Sequence, residues 1–271
     1  MSSNSIDIQS EVERPNWHMG FARGPGESAN PELWKGLQGL WAPSLGATGN
    51  TLHDVSGKAN NGTLTNGPTW VKEGLLLDGV DSTVSVSSTA IWPNWTDFSM
   101  LSEFSYNSTN DNNASPLAYY VDASSSWGIQ VFLGNATASV SFTIKRANVK
   151  YNVYADLALT RDVYYVIGCV FSGGNTAKLY INGQEITTAG PAYSIVSPVG
   201  LRFGFGNSGY FGGTIKQNIV WDRALSPSEI SELYRDPYAL IRRPTKTYLY
   251  YTAPVVGGGS PWYNNLQELI A

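Results

Sequence analysis

The stretch "VYYVIGCVFSGGNTAKLYINGQEITT" (residues 163–188) decides how this chain is read. Its first nine residues, Val163–Phe171, form an apolar run rich in β-branched and aromatic side chains. That run suits a central strand buried on both faces. After a Gly-rich break, Asn182-Gly183 sits between two β-prone arms and supplies the two positive-φ positions of a type I′ turn. The segment reads as strand, connection, strand, hairpin turn, strand. Cys169, the single cysteine of the chain, falls inside the apolar run and is read as a buried strand residue.

The same pattern extends in both directions. "FSMLSEFSY" (98–106) places Phe98, Met100, Phe104 and Tyr106 on one face and Ser99, Glu103 and Ser105 on the other. "WGIQVFL" alternates Trp127, Ile129, Val131 and Leu133 with smaller or polar residues, and "ASVSFTIK" and "VGLRFGFG" repeat the alternation. Period-two patterning repeated this often predicts half-buried strands around one core. One helix is expected in "LSPSEISELYRDPY": Ser226 is the N-cap, Pro227 opens the first turn, Glu229 completes a capping box, and Asp236-Pro237 stops it. "HDVSGKANNGTLTNGPTW" (53–70) carries Asn-Gly pairs at 61–62 and 66–67 and ends on Trp70. It reads as an ordered loop with positive-φ turns, pinned to the core by the tryptophan.

Three segments follow from these patterns. Residues 1–32 are polar and aperiodic and read as an N-terminal arm; residues 33–240 form the β domain; residues 241–271 hold a strand, the hinge "GGGS" and a short C-terminal helix. In that helix Trp262, Leu266, Leu269 and Ile270 share one face, which marks them as assembly residues. Only 14% of residues are charged and the net charge is −4, so no basic stripe exists for nucleic acid. No stretch is long and apolar enough to span a bilayer. With one cysteine and two histidines, His18 and His53, neither a disulfide framework nor a Cys/His zinc site can form.

Taken in order, "GLQGLW", "DVSGKANNGTLTNGPTW", "LLLDGVDSTVSV", "DFSMLSEFSY", "YYVIGCVFSGGNTAKLYINGQEITT" and "GGTIKQNIVWDRALSPSEI" resemble the laminin G-like branch of the concanavalin A-like lectin/glucanase superfamily. The likeness covers residues 34–238. It implies an all-β fold: a jelly-roll sandwich of two antiparallel sheets, with one short accessory helix and extended terminal arms. It also implies three chemistries. Glucanases of the superfamily carry carboxylates at alternating positions on one strand; here Glu103 and Glu185 have no acidic neighbour two residues away, so the domain is expected to be non-catalytic. Laminin G-like domains often hold a structural calcium, for which the D-G-x-D landmark supplies Asp78 and Asp81. Lys216 in "IKQN", where relatives show an acid, would oppose a cation, and the other reading makes Asp78 and Asp81 turn residues. Glycan binding by stacking and hydrogen bonds would use Trp92, Trp95, Trp127 and Tyr210.

The ending "LYRDPYALIRRP" resembles the endings of such domains in tailed-phage virion proteins. The start of the chain has neither a basic nor an apolar run, so no secretory signal is read there. The resulting expectation is a phage virion structural protein, made in the host cytoplasm, that decorates the capsid or belongs to a tail or fibre. Its partners would be other virion proteins, copies of itself and host-surface glycan, with no cofactor beyond the calcium. The alternatives are a carbohydrate-binding lectin module of a cellular protein and a divergent glycoside hydrolase whose carboxylates meet from distant strands.

Overall fold

The computed structural model describes residues 20–86, 97–107, 114–122, 125–134, 137–146, 149–173, 176–189, 200–205 and 209–244. In chain order its strands are β1 (Leu37–Trp41), β2 (Thr51–Leu52), β3 (Gly62–Thr65), β4 (Thr69–Val71), β5 (Gly74–Asp78), β6 (Thr83–Val86), β7 (Phe98–Tyr106) and β8 (Ala114–Asp122). The second half adds β9 (Ser125–Gly134), β10 (Thr137–Arg146), β11 (Val149–Leu159), β12 (Tyr165–Ser172), β13 (Thr176–Ile181), β14 (Gln184–Ala189), β15 (Gly200–Phe203) and β16 (Gly212–Trp221). Helix α1 (Pro227–Arg235) follows.

These strands make a jelly-roll sandwich of two antiparallel sheets. The first sheet runs β14-β13-β12-β7-β16-β5-β4, and β1 pairs with the far half of β16. The second runs β11-β10-β9-β8-β15-β6-β3-β2. The Asn182-Gly183 turn joins β13 to β14 with Ile181 opposite Gln184, and both turn residues have positive φ, at 49° and 77°. The helix begins as its sequence dictates. Ser226 Oγ accepts from the Glu229 amide at 3.3 Å while the Glu229 carboxylate accepts from the Ser226 amide at 2.8 Å.

Between the sheets lies a core dominated by phenylalanine. Phe98 of β7 stacks on Phe171 of β12 at 5.1 Å and tilts against Phe142 of the opposite sheet at 6.0 Å. Trp41 meets Phe203 edge-on at 5.2 Å, which ties β1 to β15. Cys169 is fully buried here, and that burial pushes its thiol pKa well up.

A second hydrophobic layer covers the outward face of the first sheet, and it changes the reading of several strands. Leu101, Val166, Val170, Tyr180, Ile219 and Trp221 point into it from the sheet. Leu33, Trp34 and Leu45, Ile230 and Leu233 of α1, and Leu240 and Ile241 pack with them. Strand β7 is therefore buried along its whole length. Ser99, Glu103 and Ser105, expected on a solvent face, are covered as well. Ser99 Oγ donates to the Arg223 carbonyl at 2.9 Å and accepts from the Leu225 amide at 2.8 Å. Glu103 pairs with Lys216 at 3.2 Å. Buried polar groups persist where they are partnered in this way.

Residues 20–34, most of which the sequence places in the N-terminal arm, belong to this layer. The Ala22 amide donates to the Ile241 carbonyl and the Ala29 amide to the Arg242 carbonyl, both at 2.8 Å. The Trp34 indole and the Ser28 hydroxyl both donate to the Leu240 carbonyl, at 2.6 and 2.8 Å. Glu27 and Arg243 close the clasp with an ion pair at 2.8 Å. Among the described residues no helix is long and apolar enough to cross a membrane.

Candidate functional site

Three turns meet at one end of the sandwich. The first, at residues 78–82, links β5 to β6 and is organised by Asp78. Its Oδ1 accepts from the amides of Val80, Asp81 and Ser82 at 2.8, 3.2 and 3.1 Å, and from the Ser82 hydroxyl at 2.8 Å. Desolvation works to raise the pKa of this carboxyl. The hydrogen bonds from Val80, Ser82 and Asp81 outweigh it and hold the group at about 2. The second turn contains Asn66-Gly67, between β3 and β4, with both residues at positive φ. The Asn66 amide donates to the Asp81 carbonyl at 3.3 Å, so the two turns touch.

The third turn follows β15. Phe205 and Tyr210 form an isolated bridge with ring centroids 5.0 Å apart, and the Arg202 guanidinium lies 5.7 Å from the Phe205 ring centre. Gly204 carries φ +89°, and a Cβ there would stand 3.0 Å from both Leu77 and the Ser82 carbonyl. The lack of a side chain at Gly204 thus lets the aromatic turn close down on the Asp78 turn. On the neighbouring strand Gly212 is the register partner of Asp78. The resulting rim presents a half-buried tyrosine, an exposed aspartate (Asp81), an amide and a guanidinium, with Val80 66% exposed among them. That set offers a stacking surface with donors and acceptors around it, which is the chemistry a sugar requires.

The structure thus brings together Asp78, Asp81 and Tyr210. Trp127 lies elsewhere, in β9, with Tyr119 and Ile144 as its register partners. Trp92, Trp95, Trp262, Leu266, Leu269 and Ile270 fall outside the described residues. Calcium does not fit what is described at the rim. Asp78 Oδ1 already accepts four hydrogen bonds, and among the described residues no three His, Cys, Asp or Glu side chains converge as a metal site. Lys216 sits away from the rim, over the Tyr164 ring at 3.9 Å and against Glu103.

Asn66, Arg202 and Phe205 were not singled out in the sequence. Asn66 carried a signal in its Asn-Gly pair, but nothing local showed that its amide would reach a turn fifteen residues on. The loop from residue 53 to 70 is ordered throughout. Trp70 packs against the inter-sheet core and its indole donates to the Gly49 carbonyl at 2.8 Å.

A family model, described as the concanavalin A-like lectin/glucanases superfamily, matches residues 78–231, more than half of the chain, and opens on Asp78. Among solved structures, domain 4 of the GH43 extracellular arabinanase from Geobacillus stearothermophilus, in complex with arabinotriose, aligns with a TM-score of 0.60 at 17% identity, covering 73% of this chain and 98% of that one. Trypanosoma rangeli sialidase aligns with a TM-score of 0.56 at 16% identity over 74% of this chain but 33% of its own, so the chain spans about a third of the enzyme's length. The binding domain of Paraclostridial Mosquitocidal Protein 1 aligns with a TM-score of 0.54 at 17% identity, covering 74% and 52%. At these identities the likeness is one of fold. No curated protein matches the chain.

Proposed function

This chain belongs to the concanavalin A-like lectin/glucanases superfamily, and on that premise we propose that it is a non-catalytic glycan-binding domain whose sugar meets the rim formed by Asn66, Asp81, Arg202 and Tyr210. The convergence of three turns on that rim is the observation that carries the reading. Tyr210 supplies a face for the apolar side of a sugar ring, while Asp81, Asn66 and Arg202 supply hydrogen bonds to its hydroxyls. The arabinanase domain, solved with arabinotriose and matched over 98% of its length, supports a binding role for a sandwich of this size.

A binding role also suits the acids. Glu103 is paired with Lys216, Glu229 with Arg223, Asp236 with Arg242 and Glu185 with Lys178. Glycoside hydrolysis needs two carboxyls facing one bond, with one free to donate a proton. Incubation with a panel of β-glucan and alginate substrates is expected to release no sugar, and turnover would overturn the non-catalytic reading. Binding is tested on an array of oligosaccharides. The expected result is retention of a subset of glycans that Tyr210→Ala weakens by about tenfold or more, about 1.4 kcal/mol. Equal retention by the variant would remove the rim from the argument.

The finer reading is that this domain belongs to a phage virion, on the capsid or in a tail or fibre. Its support is the resemblance of "LYRDPYALIRRP" to the endings of such domains, together with the clasp formed by that ending. Arg243 lies beside Gly20, where a Cβ would stand 3.8 Å from its guanidinium. The two ends of the described chain, at residues 20 and 244, therefore lie near one another, which suits a shared attachment to one adjoining subunit. Light scattering on the full chain and on a chain ending at Ala253 tests this. A trimer or larger assembly that falls to monomers on truncation is the expected result, and monomers in both cases would overturn self-assembly through the tail.

A further inference from the structure

At the opposite end of β16 from the rim, a cleft of about 610 Å³ opens between the clasped N-terminal segment, β1 and the loop after Asp54. Ten residues of strand at about 3.3 Å each set the two places roughly 30 Å apart, so the cleft shares no residue with the rim. Its volume falls in the range of small-ligand sites.

The walls are fixed by independent bonds. The Asp222 amide donates to the Gly36 carbonyl at 2.8 Å, and Gln38 Nε2 donates to Asp222 Oδ2 at 2.6 Å. The Ser56 amide donates to Asp54 Oδ1 at 2.9 Å, and the Lys58 amide to Ser56 Oγ at 3.2 Å. Arg23 is held at the mouth by the bond from the neighbouring Ala22 amide to Ile241 and by its own amide donating to Glu27 Oε2 at 3.2 Å. Trp34 lines one side, with its indole N–H committed to Leu240.

Two cations, Arg23 and Lys58, thus face one carboxylate, Asp222, leaving a surplus of one positive charge in a chain of net charge −4. Neither cationic side chain forms an ion pair with another described residue; Glu27 feels the charge of Arg23 but is itself paired with Arg243. A ligand matched to these walls carries one negative charge for Arg23 and Lys58, hydroxyls for Asp222, Gln38 and Ser56, and an apolar edge for Trp34. A neutral sugar leaves the cations unmatched; a dianionic phosphate meets the repulsion of Asp222. We infer that the cleft is a second binding site, for a carboxylated sugar of the hexuronate class. The inference goes beyond the rim reading and stands on different residues.

The test is calorimetric titration of the full chain with methyl galacturonoside, a monoanion, alongside neutral methyl galactoside and AMP. Wild type is expected to bind methyl galacturonoside, with affinity falling as salt rises. Arg23→Ala with Lys58→Ala is expected to weaken binding at least about tenfold (about 1.4 kcal/mol). Both residues are exposed, so the thermal midpoint should hold, and Lys58→Glu provides a second variant with the same expectation. Tyr210→Ala is expected to leave methyl galacturonoside binding unchanged. Absence of wild-type binding, undiminished binding by both cleft variants, or equal binding of methyl galactoside or AMP would overturn the cleft site. Loss through Tyr210→Ala alone would overturn it too, while supporting the rim.

Discussion

Asp54 and Asp78 use the same chemistry to opposite ends. Each is a carboxylate that accepts several backbone amides, and each organises a polar stretch rich in turn residues. Asp78 gathers its donors from Val80, Asp81 and Ser82, all within four residues of it, so it closes a turn and nothing more. Asp54 accepts from Ser56 and Asn60 in its own loop but also from Leu40 in β1, at 2.9, 2.9 and 3.0 Å. It is 9% exposed, whereas Asp78 stands in solvent. One therefore shapes a rim that water can also satisfy, and the other fastens a loop to a sheet where water has little access. Local hydrogen bonds set shape; long-range buried ones set stability.

That contrast can be broken by measurement. Asp54→Ala should lower unfolding stability by about 3 kcal/mol, on the order of 1 kcal/mol for each buried amide left without an acceptor. A urea midpoint close to wild type would erase the distinction. Next in size, Gly36→Ala should cost about 2 kcal/mol or more. Gly36 has φ +69° and a Cβ there would lie 2.5 Å from Asp222 Oδ1, so strain and overlap add. The matching change at the rim, Gly67→Ala, has φ +76° but open space around it and should cost only about 1 kcal/mol. Equal losses would show that crowding at the cleft wall is relieved by movement.

Asp78→Ala should cost about 1 kcal/mol, since water can replace the lost acceptor. Its acid dependence sharpens the same point. The folded carboxyl sits at about 2, below its ordinary 3.8, so its contribution is present above about pH 4 and lost as pH falls through 2. Thermal midpoints of wild type and Asp78→Asn should therefore converge between pH 4 and pH 2, with a small difference because the group is exposed. A constant gap across that window would count against the hydrogen-bonded carboxylate.

What could be read in advance follows the range of the interactions involved. The β13–β14 hairpin, the extent of strand β7 and the capping box of α1 are written in adjacent residues, and each lies where the sequence places it. The second hydrophobic layer was not legible, because its N-terminal part lies in an aperiodic stretch with scattered Pro and Gly. Leu33 and Trp34 give no repeat, and their partners, Trp221 and Leu240, come about two hundred residues later. Ser99, Glu103 and Ser105 look like a solvent face until that layer covers them. The site divides in the same way. Asp78 announces its turn through D-G-x-D, whereas Asp222 and Gly36 meet only because β1 pairs with the end of β16.

The clasp between residues 20–30 and 239–243 has one more consequence. Since its two strands of chain run out side by side, the sandwich can be spliced into a surface loop of another protein with both joints in one place. Such a graft would not force the host loop apart. The same proximity permits a circular rearrangement: Gly20 and Arg243 bridged by a short linker, and new ends opened at an exposed turn.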